Sequence, residues 1–279
     1  MVASDDMAIS TVRRALELLR ILAGGPPEGM RLKDIGEVVG YGQSMVHRLL
    51  QDLILEGVVE QVSGSKRYRP ALEFFVLAAR IGESSGLRRL AGPTLLRLSA
   101  TLSESIFLLV RTGFDAVCLD LVEGPYPIRS FTGDIGGKVP LGLGQGSLAI
   151  LSHLPEAEQE AVIRFNMPRL IDKGFLDEAT LRVAIAKARE QGWADLNSGL
   201  IPGMAGVGVP VFDAHGLAVA SLSVGTLAER LTESRLAGVV KVMKAEAEEL
   251  SQRLNPFDMT LRHPMRSLAF AKPVSSGRS

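Results

Sequence analysis

Side chains that could contact DNA recur along one face of the segment from 43 to 56. Apolar residues repeat there at helical spacing, as expected for the buried face of a helix: Val46, Leu49, Leu50 and Leu53. The opposite face, with His47 near its margin, would carry Gln43, Ser44, Met45, Arg48 and Gln51. Hydroxyl, imidazole and guanidinium groups bond phosphates or base edges, and a bidentate arginine–guanine pair contributes roughly 1 to 3 kcal/mol of discrimination. We therefore expect this face to enter the major groove of DNA.

A second group of basic residues follows shortly afterwards. Lys66, Arg67 and Arg69 come after a strand-like run at 58–62 and a polar turn at 63–66, which together predict a small hairpin. Such a hairpin beside a DNA-reading helix would place these charges near the phosphate backbone, where they give sequence-independent affinity that weakens with salt. Arg31, at the start of the preceding helical segment, completes the predicted DNA contacts.

A different chemistry is indicated by the glycines at 142, 144 and 146. They precede Ser147 and a helical run, so Gly142, Leu143, Gly144 and Gln145 would bring bare amides to a helix N-terminus. That arrangement favours a carboxylate or another anion, such as an organic acid. Neither the complete dinucleotide-binding glycine pattern nor the phosphate-binding loop with its lysine is present, which disfavours a nucleotide.

Further effector contacts are predicted on the strands near these glycines. Ser221 and Ser223 share one face of a strand, and Asn197 and Met204 precede it. Sheet packing and turn capping explain these four residues equally well. Cys118 is the fifth candidate, although a cysteine on a strand is more often a small buried apolar residue than a reactive thiol.

The sequence contains few patterns that would indicate a catalytic site or a metal site. The four histidines are scattered, and Cys118 is the only cysteine, so no zinc-ligand spacing and no internal disulfide is expected. The serine nucleophile elbow is absent as a sequence pattern. We expect no catalytic residue, no metal and no cofactor.

Bulk composition places the chain among ordinary globular proteins. Its 279 residues include 46% hydrophobic and 22% charged residues, and 31 basic residues balance 31 acidic ones, so net charge gives no support for DNA binding. The longest apolar stretches are about half of the roughly 18 residues that span a bilayer, and the N-terminus has no export pattern. A cytoplasmic protein without membrane contact is expected.

The elements that would position the DNA contacts form a compact series. Helices are predicted from Ser10 to Ala23, from Leu32 to Val39 and from Gln43 to about Glu56, with Gly40-Tyr41-Gly42 as the turn between the last two. Together with the hairpin they predict a winged helix-turn-helix domain at 10–70. A helix from Ala71 to Ile81 and a glycine-containing hinge would form a linker at 71–86.

The remaining chain alternates strands and helices. Strands are predicted at 105–111, 116–123, 207–212 and 217–224, the last two joined by a hairpin turn at 213–216, with Pro210 at an edge or bulge. Helices are predicted at 148–154, 155–165, 178–191 and 232–254. This pattern favours an α+β domain with an antiparallel sheet at 87–254, followed by a disordered tail at 255–279.

The N-terminal segment resembles the DNA-binding domain of the IclR family of transcriptional regulators. The resemblance covers STVRRALELLRILA, RLKDIGEVVG, SMVHRLLQDLILEGVVE and RYRPALEFFVLAAR in the family's order and spacing. Where the family commonly has Pro-Lys-Ser-Thr, this chain has Gly42-Gln43-Ser44-Met45, which loses a positive charge and a hydroxyl. The operator sequence is therefore expected to differ from those of relatives.

The segment 87–254 is similar to the family's effector-binding domain, which implies a GAF-like fold around a small-molecule pocket. The similarity is carried by VPLGLGQGSLAIL and by GWADLNSGLIPGMAGVGVPVFDAHGLAVASLSVG. The family's frequent His-Ala-Thr-Ala is replaced by Gly142-Leu143-Gly144-Gln145, and Gly206 stands where a cysteine can occur, so ligands of relatives do not transfer directly. The resemblance also implies a homodimer or a dimer of dimers, with carboxylic or aromatic metabolites as effectors.

These observations predict a regulator that binds double-stranded operator DNA and whose binding a small-molecule effector tunes. The alternative is a small-molecule-binding or catalytic protein in which the N-terminal helices form a protein-interaction module. Whether the regulator represses or activates is left open.

Overall fold

Two compact units make up the chain, Met1–Ser84 and Ser85–Ser279. The computed structural model describes residues 10–74, 76, 86–126, 134–172, 177–195 and 202–254. Among these residues, the first unit has one hydrophobic core and the second has two. Burying a Leu, Ile or Val side chain contributes roughly 1.5 to 3 kcal/mol, so each core is a large stabilising term.

Three helices form most of the described part of the first unit: α1 (Thr11–Ala23), α2 (Leu32–Val39) and α3 (Gln43–Leu55). Ser10 caps α1 because its hydroxyl accepts a hydrogen bond from the Arg13 amide at 3.3 Å. Each helix turns one apolar stripe to a shared core that includes Leu18, Ile35, Val46 and Leu50. The helical periods read from the sequence are confirmed to within a residue or two.

A small sheet accompanies these helices. The predicted hairpin is present as β2 (Val59–Gln61) and β3 (Arg67–Pro70), and a further strand, β1 (Met30–Arg31), pairs with β3 to give the antiparallel order β1-β3-β2. Gly29 precedes β1 with a φ of +85°, and a Cβ there would lie 2.8 Å from the Tyr68 carbonyl oxygen. The chain therefore needs glycine where it turns into β1.

The second unit is built on a six-stranded antiparallel sheet with the order β6-β5-β4-β9-β8-β7. Its described strands are β4 (Ser105–Thr112), β5 (Asp115–Val122), β6 (Lys138–Pro140), β7 (Ala194–Asp195), β8 (Met204–Phe212) and β9 (Ala218–Leu227). The central pairs β4·β9 and β8·β9 share long registers, from Ser105↔Gly225 to Val110↔Ala220 and from Met204↔Leu227 to Phe212↔Ala218. The predicted α+β class with an antiparallel sheet is confirmed.

Helices cover both faces of this sheet. The described helices are α4 (Gly86–Leu102), α5 (Gln145–Ser152), α6 (Glu156–Ile171), α7 (Glu178–Gln191) and α8 (Glu233–Arg253). Side chains alternate along β4, so that Phe107 packs in the core with α5, α6 and α7, whereas Ile106 and Leu108 pack in the core with α4 and α8.

Several predicted boundaries in this unit were wrong. Helix α5 begins at Gln145 rather than 148, α6 continues to Ile171 through Pro168, and the short strands β6 and β7 were missed. The hairpin at 213–216 is confirmed, with the Asp213 carboxylate accepting hydrogen bonds from the His215 and Leu217 amides. Pro210 lies beyond the last pairing of β7 with β8 at Gly208, on a part of β8 whose outer side no described strand covers.

Some predictions fall outside the described residues. Residues 72–74 and 76 are helical, but the rest of the linker up to residue 85 and the tail at 255–279 are not among the described ranges. Asn197 lies outside them as well. Within the described helices, none combines the length and apolar character needed to cross a bilayer.

Candidate nucleic-acid interface and effector site

The turn between α2 and α3 has the compact geometry of a helix-turn-helix. Helix α2 ends at Gly40, which has a φ of +70° and whose amide donates a hydrogen bond to the Gly36 carbonyl at 2.9 Å. Gly42 is the N-cap of α3, so a single residue, Tyr41, separates the two cap positions. The turn predicted at 40–42 is confirmed.

The outer face of α3 carries polar side chains that are free to bind a ligand. Each of them is exposed, and none has a hydrogen-bond or ion-pair partner among the described residues: Gln43, Ser44, His47, Arg48 and Gln51. The inner face is buried as predicted, at Val46, Leu49, Leu50 and Leu53. A helix with a packed inner face and an unpaired polar outer face has the form that reads the major groove.

Two side chains of α3 lie differently from the prediction. Met45 was expected to point outward, but it is half-buried and packs against the core of the first unit. The reason is its position four residues before Leu49, at the border of the buried stripe, where an unbranched apolar side chain folds onto the core. His47 was expected at the margin and is exposed.

The three basic residues of the wing have three different environments. Lys66 is exposed and has no ion-pair partner among the described residues, and the same holds for Arg31 on β1. Arg69 is paired at the surface with Glu60, with Nε and Oε1 2.6 Å apart, an interaction of about 0 to 1 kcal/mol that a phosphate could replace. Arg67 is half-buried, and its guanidinium donates to the Gly29 carbonyl at 2.7 Å, so it holds the turn before β1.

The loop that precedes α5 is buried, and some of its backbone amides are already hydrogen-bonded within the loop or to α5. Gly142 has a φ of +104° and Gly144 a φ of +82°, which explains the glycines at these two positions. The prediction of bare amides fails at Gly142 and Leu143, because the Gly142 amide donates to Ser147 Oγ at 3.2 Å and the Leu143 amide to the Pro140 carbonyl. The N-cap of α5 is Gly144, which has no side chain to bond the first amides of the helix.

Helix α5 lies against β8 and β9 at very short range. A Cβ on Gly208 would come 2.3 Å from the Gln145 carbonyl oxygen, and one on Gly206 would come 2.1 Å from Gln145 Nε2. Gln145 also donates from Nε2 to the Val224 carbonyl at 3.0 Å. The two glycines of β8 therefore create the space into which the start of α5 packs.

The predicted residues of β9 face this helix. Ser221 Oγ donates to the Gly146 carbonyl at 2.8 Å, so its hydroxyl is already used to hold α5. Ser223 is only 3% exposed, and its hydroxyl has no hydrogen-bond partner among the described residues. The structure thus brings Gln145, Ser221 and Ser223 together, with Ser223 as the hydroxyl left free.

Cys118 and Met204, the other two predicted effector contacts among the described residues, make no hydrogen bond to α5 there. Cys118 is fully buried, its thiol donates to the Asp120 carbonyl at 3.4 Å, and burial raises the pKa of the thiol to about 11. It is therefore protonated at neutral pH and packs as a small apolar group. Met204 is half-buried at the start of β8, opposite Leu227.

Over the described ranges, no three His, Cys, Asp or Glu side chains are grouped so that they could hold a metal ion.

One polar contact of the first unit has no counterpart in the sequence-based predictions. The Tyr41 hydroxyl donates to Glu17 Oε2 at 2.6 Å and so connects the helix-turn-helix turn with α1. The two residues are 24 positions apart, so no local sequence pattern predicts the contact.

Known families match both units. A family model described as the IclR helix-turn-helix domain matches residues 11–63, and one described as the C-terminal domain of the bacterial transcriptional regulator IclR matches residues 80–252. The HTH-type transcriptional regulator KipR of Bacillus subtilis is 26% identical over 88% of this chain and 96% of its own length. For BhcR of Paracoccus denitrificans, another HTH-type transcriptional regulator, the identity is 28%, over 91% of this chain and 90% of the relative.

Solved structures of similar proteins agree with the fold. IclR of Thermotoga maritima has a TM-score of 0.68 and 26% identity, with coverage of 88% of this chain and 98% of that one. An IclR homologue from Microbacterium hydrocarbonoxydans in complex with 4-hydroxybenzoate has a TM-score of 0.73 at 20% identity, with coverage of 87% and 98%. At that identity the second likeness concerns the fold alone.

Proposed function

Because the chain belongs to the IclR family of bacterial transcriptional regulators, we propose that it binds a specific operator and that a small-molecule effector sets its affinity for that operator. The relatives named above are regulators rather than enzymes, which supports a regulator without catalytic activity. The observation that carries the DNA half of the proposal is the exposed face of α3, where five polar side chains have no partner among the described residues.

The DNA contacts divide by their chemistry. Gln43, Ser44, His47, Arg48 and Gln51 are the groups for base edges and nearby phosphates, and Arg48 has the guanidinium that suits guanine. Lys66 and Arg31 supply free cations for the phosphate backbone, and Arg69 can exchange its surface partner Glu60 for a phosphate. Met45 and Arg67 remain predicted contacts, but both also pack within the domain.

A titration of the full-length protein with DNA duplexes tests this division. Arg48→Ala should lower the preference for the operator over a random duplex by about 10- to 100-fold, because a bidentate base contact is worth roughly 1 to 3 kcal/mol. Lys66→Ala should weaken binding to all duplexes alike and reduce the slope of log K against log salt by about 0.9. If the wild-type protein binds no duplex even at low salt, the DNA half of the proposal is wrong.

The effector half of the proposal concerns the second unit. We expect an organic or aromatic acid, since the N-cap Gly144 leaves the first amides of α5 without a bond from its own side chain and the positive end of the helix favours a carboxylate. A homologue of the same fold binds 4-hydroxybenzoate, which supports this chemical class. Ser223 offers the free hydroxyl beside α5, whereas Gly142, Leu143, Gly144, Gln145 and Ser221 would shape the site. Cys118, Met204 and Asn197 stay predicted contacts.

A thermal-shift screen of carboxylic and aromatic acids, including 4-hydroxybenzoate, identifies the effector. An acid that binds only the folded protein raises the melting temperature with concentration, and it should change the affinity for the operator in the duplex titration. Ser223→Ala should weaken the stabilisation by that acid and leave ligand-free DNA binding intact, whereas Ser234→Ala, at an exposed position of α8, should change neither. Loss of both ligand response and DNA binding in Ser223→Ala would count against the assigned role.

The remaining parts of the proposal concern the assembly. Two protomers would place their α3 helices in successive major grooves of a near-palindromic operator, as a dimer or within a dimer of dimers. The segment 71–86 would link the DNA-binding and sensing units. A regulator of operator DNA acts where the DNA is, so the cytoplasm remains the expected location.

A further inference from the structure

Tyr41 is held at three points within the first unit. Its amide donates to the Gly36 carbonyl at 3.2 Å, its ring packs against the core, and its hydroxyl donates to Glu17 Oε2 at 2.6 Å. A Cβ on Gly36 would lie 3.2 Å from the Tyr41 carbonyl oxygen, so the backbone of the turn also packs closely on α2. Tyr41 therefore connects α1, α2 and the start of α3.

The start of α3 has no local device that would fix it. Its N-cap is Gly42, which has no side chain to bond the first amides of the helix. The first backbone hydrogen bonds of the helix run from the Met45 and Val46 amides to the Gly42 carbonyl, at 3.0 and 3.1 Å. Because Gly42 follows Tyr41 directly, the position of this carbonyl depends on how firmly Tyr41 is held.

Glu17 keeps the Tyr41 hydroxyl in the donating form. The hydrogen bond to Glu17 raises the pKa of Tyr41 above its ordinary value, so the hydroxyl stays protonated at neutral pH. The Arg14 guanidinium lies 5.7 Å from the centre of the Tyr41 ring, and Arg14 Nε is buried without a hydrogen-bond partner within the described residues. A cation at this distance from an aromatic face is attracted to it, which stabilises the position of the ring.

We propose that Tyr41 is a positioning residue for DNA reading: through its hydrogen bond to Glu17 it fixes the first turn of α3 on α1 and so orients Gln43, Ser44 and His47. The part of this inference that concerns DNA rests on the proposed function. The part that concerns the start of α3 does not rest on it. Hydrogen exchange tests the hold on the helix, and duplex binding tests the effect on DNA reading.

Hydrogen exchange of the full-length protein tests the hold on the helix. Tyr41→Phe and Glu17→Ala should each speed exchange of the Met45 and Val46 amides by at least about tenfold, since one hydrogen bond to a charged acceptor is worth a factor of roughly 10 to 150. Glu17→Gln keeps an acceptor oxygen and should restore most of the protection. Tyr68→Phe is the matched control, because it removes a hydroxyl without a partner among the described residues from a buried tyrosine of the same unit. Unchanged exchange in Tyr41→Phe would overturn the proposal.

Duplex binding tests the positioning role. Tyr41→Phe and Glu17→Ala should lower the ratio of operator to random-duplex affinity about fivefold, within the range of a lost hydrogen bond, and leave the salt slope unchanged. A purely structural role would lower thermal stability without changing this ratio. A ratio that stays at the wild-type value while exchange accelerates would overturn positioning. A wild-type protein without any sequence preference would contradict the proposed function, and the exchange result would still decide whether Tyr41 holds the helix.

Discussion

His153 is a half-buried histidine at the C-terminal end of α5 whose charged form the fold disfavours. Its Nδ1 lies 2.9 Å from the Ala149 carbonyl oxygen, and its ring meets Phe212 edge-on at 5.4 Å. Burial lowers the pKa of His153 below its ordinary value of 6.5, and the nearby charges of Arg189 and Lys244 act in the same direction. Below that pH the unfolded chain therefore takes up a proton that the folded chain resists.

Stability should consequently depend on pH through this residue. The free energy of unfolding that the neutral ring contributes is fully present above pH 6.5 and is lost progressively as the pH falls from there toward the lowered pKa of the folded state. His153→Gln removes the titration, so the wild-type protein should lose melting temperature relative to the variant between pH 7.5 and 5.5. Parallel pH profiles of the two proteins in calorimetry would contradict this account.

At the residue scale, the structure shows contacts of the predicted side chains that the sequence did not indicate. Lys66 and Arg67 are neighbours of like charge, yet Lys66 is free within the described residues and Arg67 is committed to the Gly29 carbonyl. Gly142 was expected to offer a bare amide, but Ser147 accepts its hydrogen bond. Partners such as Glu17 for Tyr41 lie far along the chain and depend on tertiary packing, which no local pattern encodes.

At the scale of elements, the contact between α5 and the sheet depends on glycines. Gly208→Ala would place a Cβ 2.3 Å from the Gln145 carbonyl oxygen, a backbone atom that moves only if the helix moves. We expect this variant to lose about 1 to 3 kcal/mol of unfolding free energy, the usual cost of overpacking a close contact.

The control for this prediction is the same substitution in an open position. Gly238 is exposed on α8, and a Cβ there would meet no atom within 4 Å. Gly238→Ala should raise stability by about 0.5 to 1 kcal/mol, since alanine is the better helix former. Chemical denaturation distinguishes the two, and a loss of equal size in both variants would show that the α5 contact is not the cause.

Helices and strands with a clear hydrophobic periodicity were predicted well. Short strands that are defined only by their hydrogen bonds to a neighbouring strand were not. The stripes of α1, α2 and α3 and the long hairpin of β8 and β9 are legible in the sequence because their own residues carry the pattern. Strands β1 and β7 have two residues each, too few to show an alternation, and their partners β3 and β8 define them. The early start of α5 was missed because glycines disfavour helices in isolation.

At the scale of the whole molecule, an overall neutral chain is proposed to bind a polyanion. The 31 basic and 31 acidic residues cancel, so the affinity for DNA must come from how charges are distributed and not from their sum. Arg31, Arg48 and Lys66 of the first unit, which have no ion-pair partner among the described residues, would supply such a local distribution. The family resemblance read from the sequence is confirmed by family models for both units, whereas the effector, the operator and the assembly remain proposals.

Thermodynamic linkage would relate effector binding in the second unit to operator binding in the first. An effector that changes operator affinity by some factor must have its own affinity changed by the operator by the same factor. Such coupling requires that the effector favour one of two arrangements of the assembly over the other. Sensing and DNA reading would therefore be separate sites on one chain, with α3 as the element proposed to determine which sequence is bound.

Selection of duplexes from a random-sequence pool by the full-length protein measures whether α3 reads operator DNA. At about 150 mM salt, where non-specific contacts are weakened, we expect enrichment of two related half-sites with centres about 10 base pairs or a multiple apart. Arg48→Ala should lose the preference at one position in each half-site, and Lys66→Ala should enrich the same motif with lower yield. A pool that stays random, or an unchanged motif from Arg48→Ala, would contradict the claim that α3 reads operator DNA.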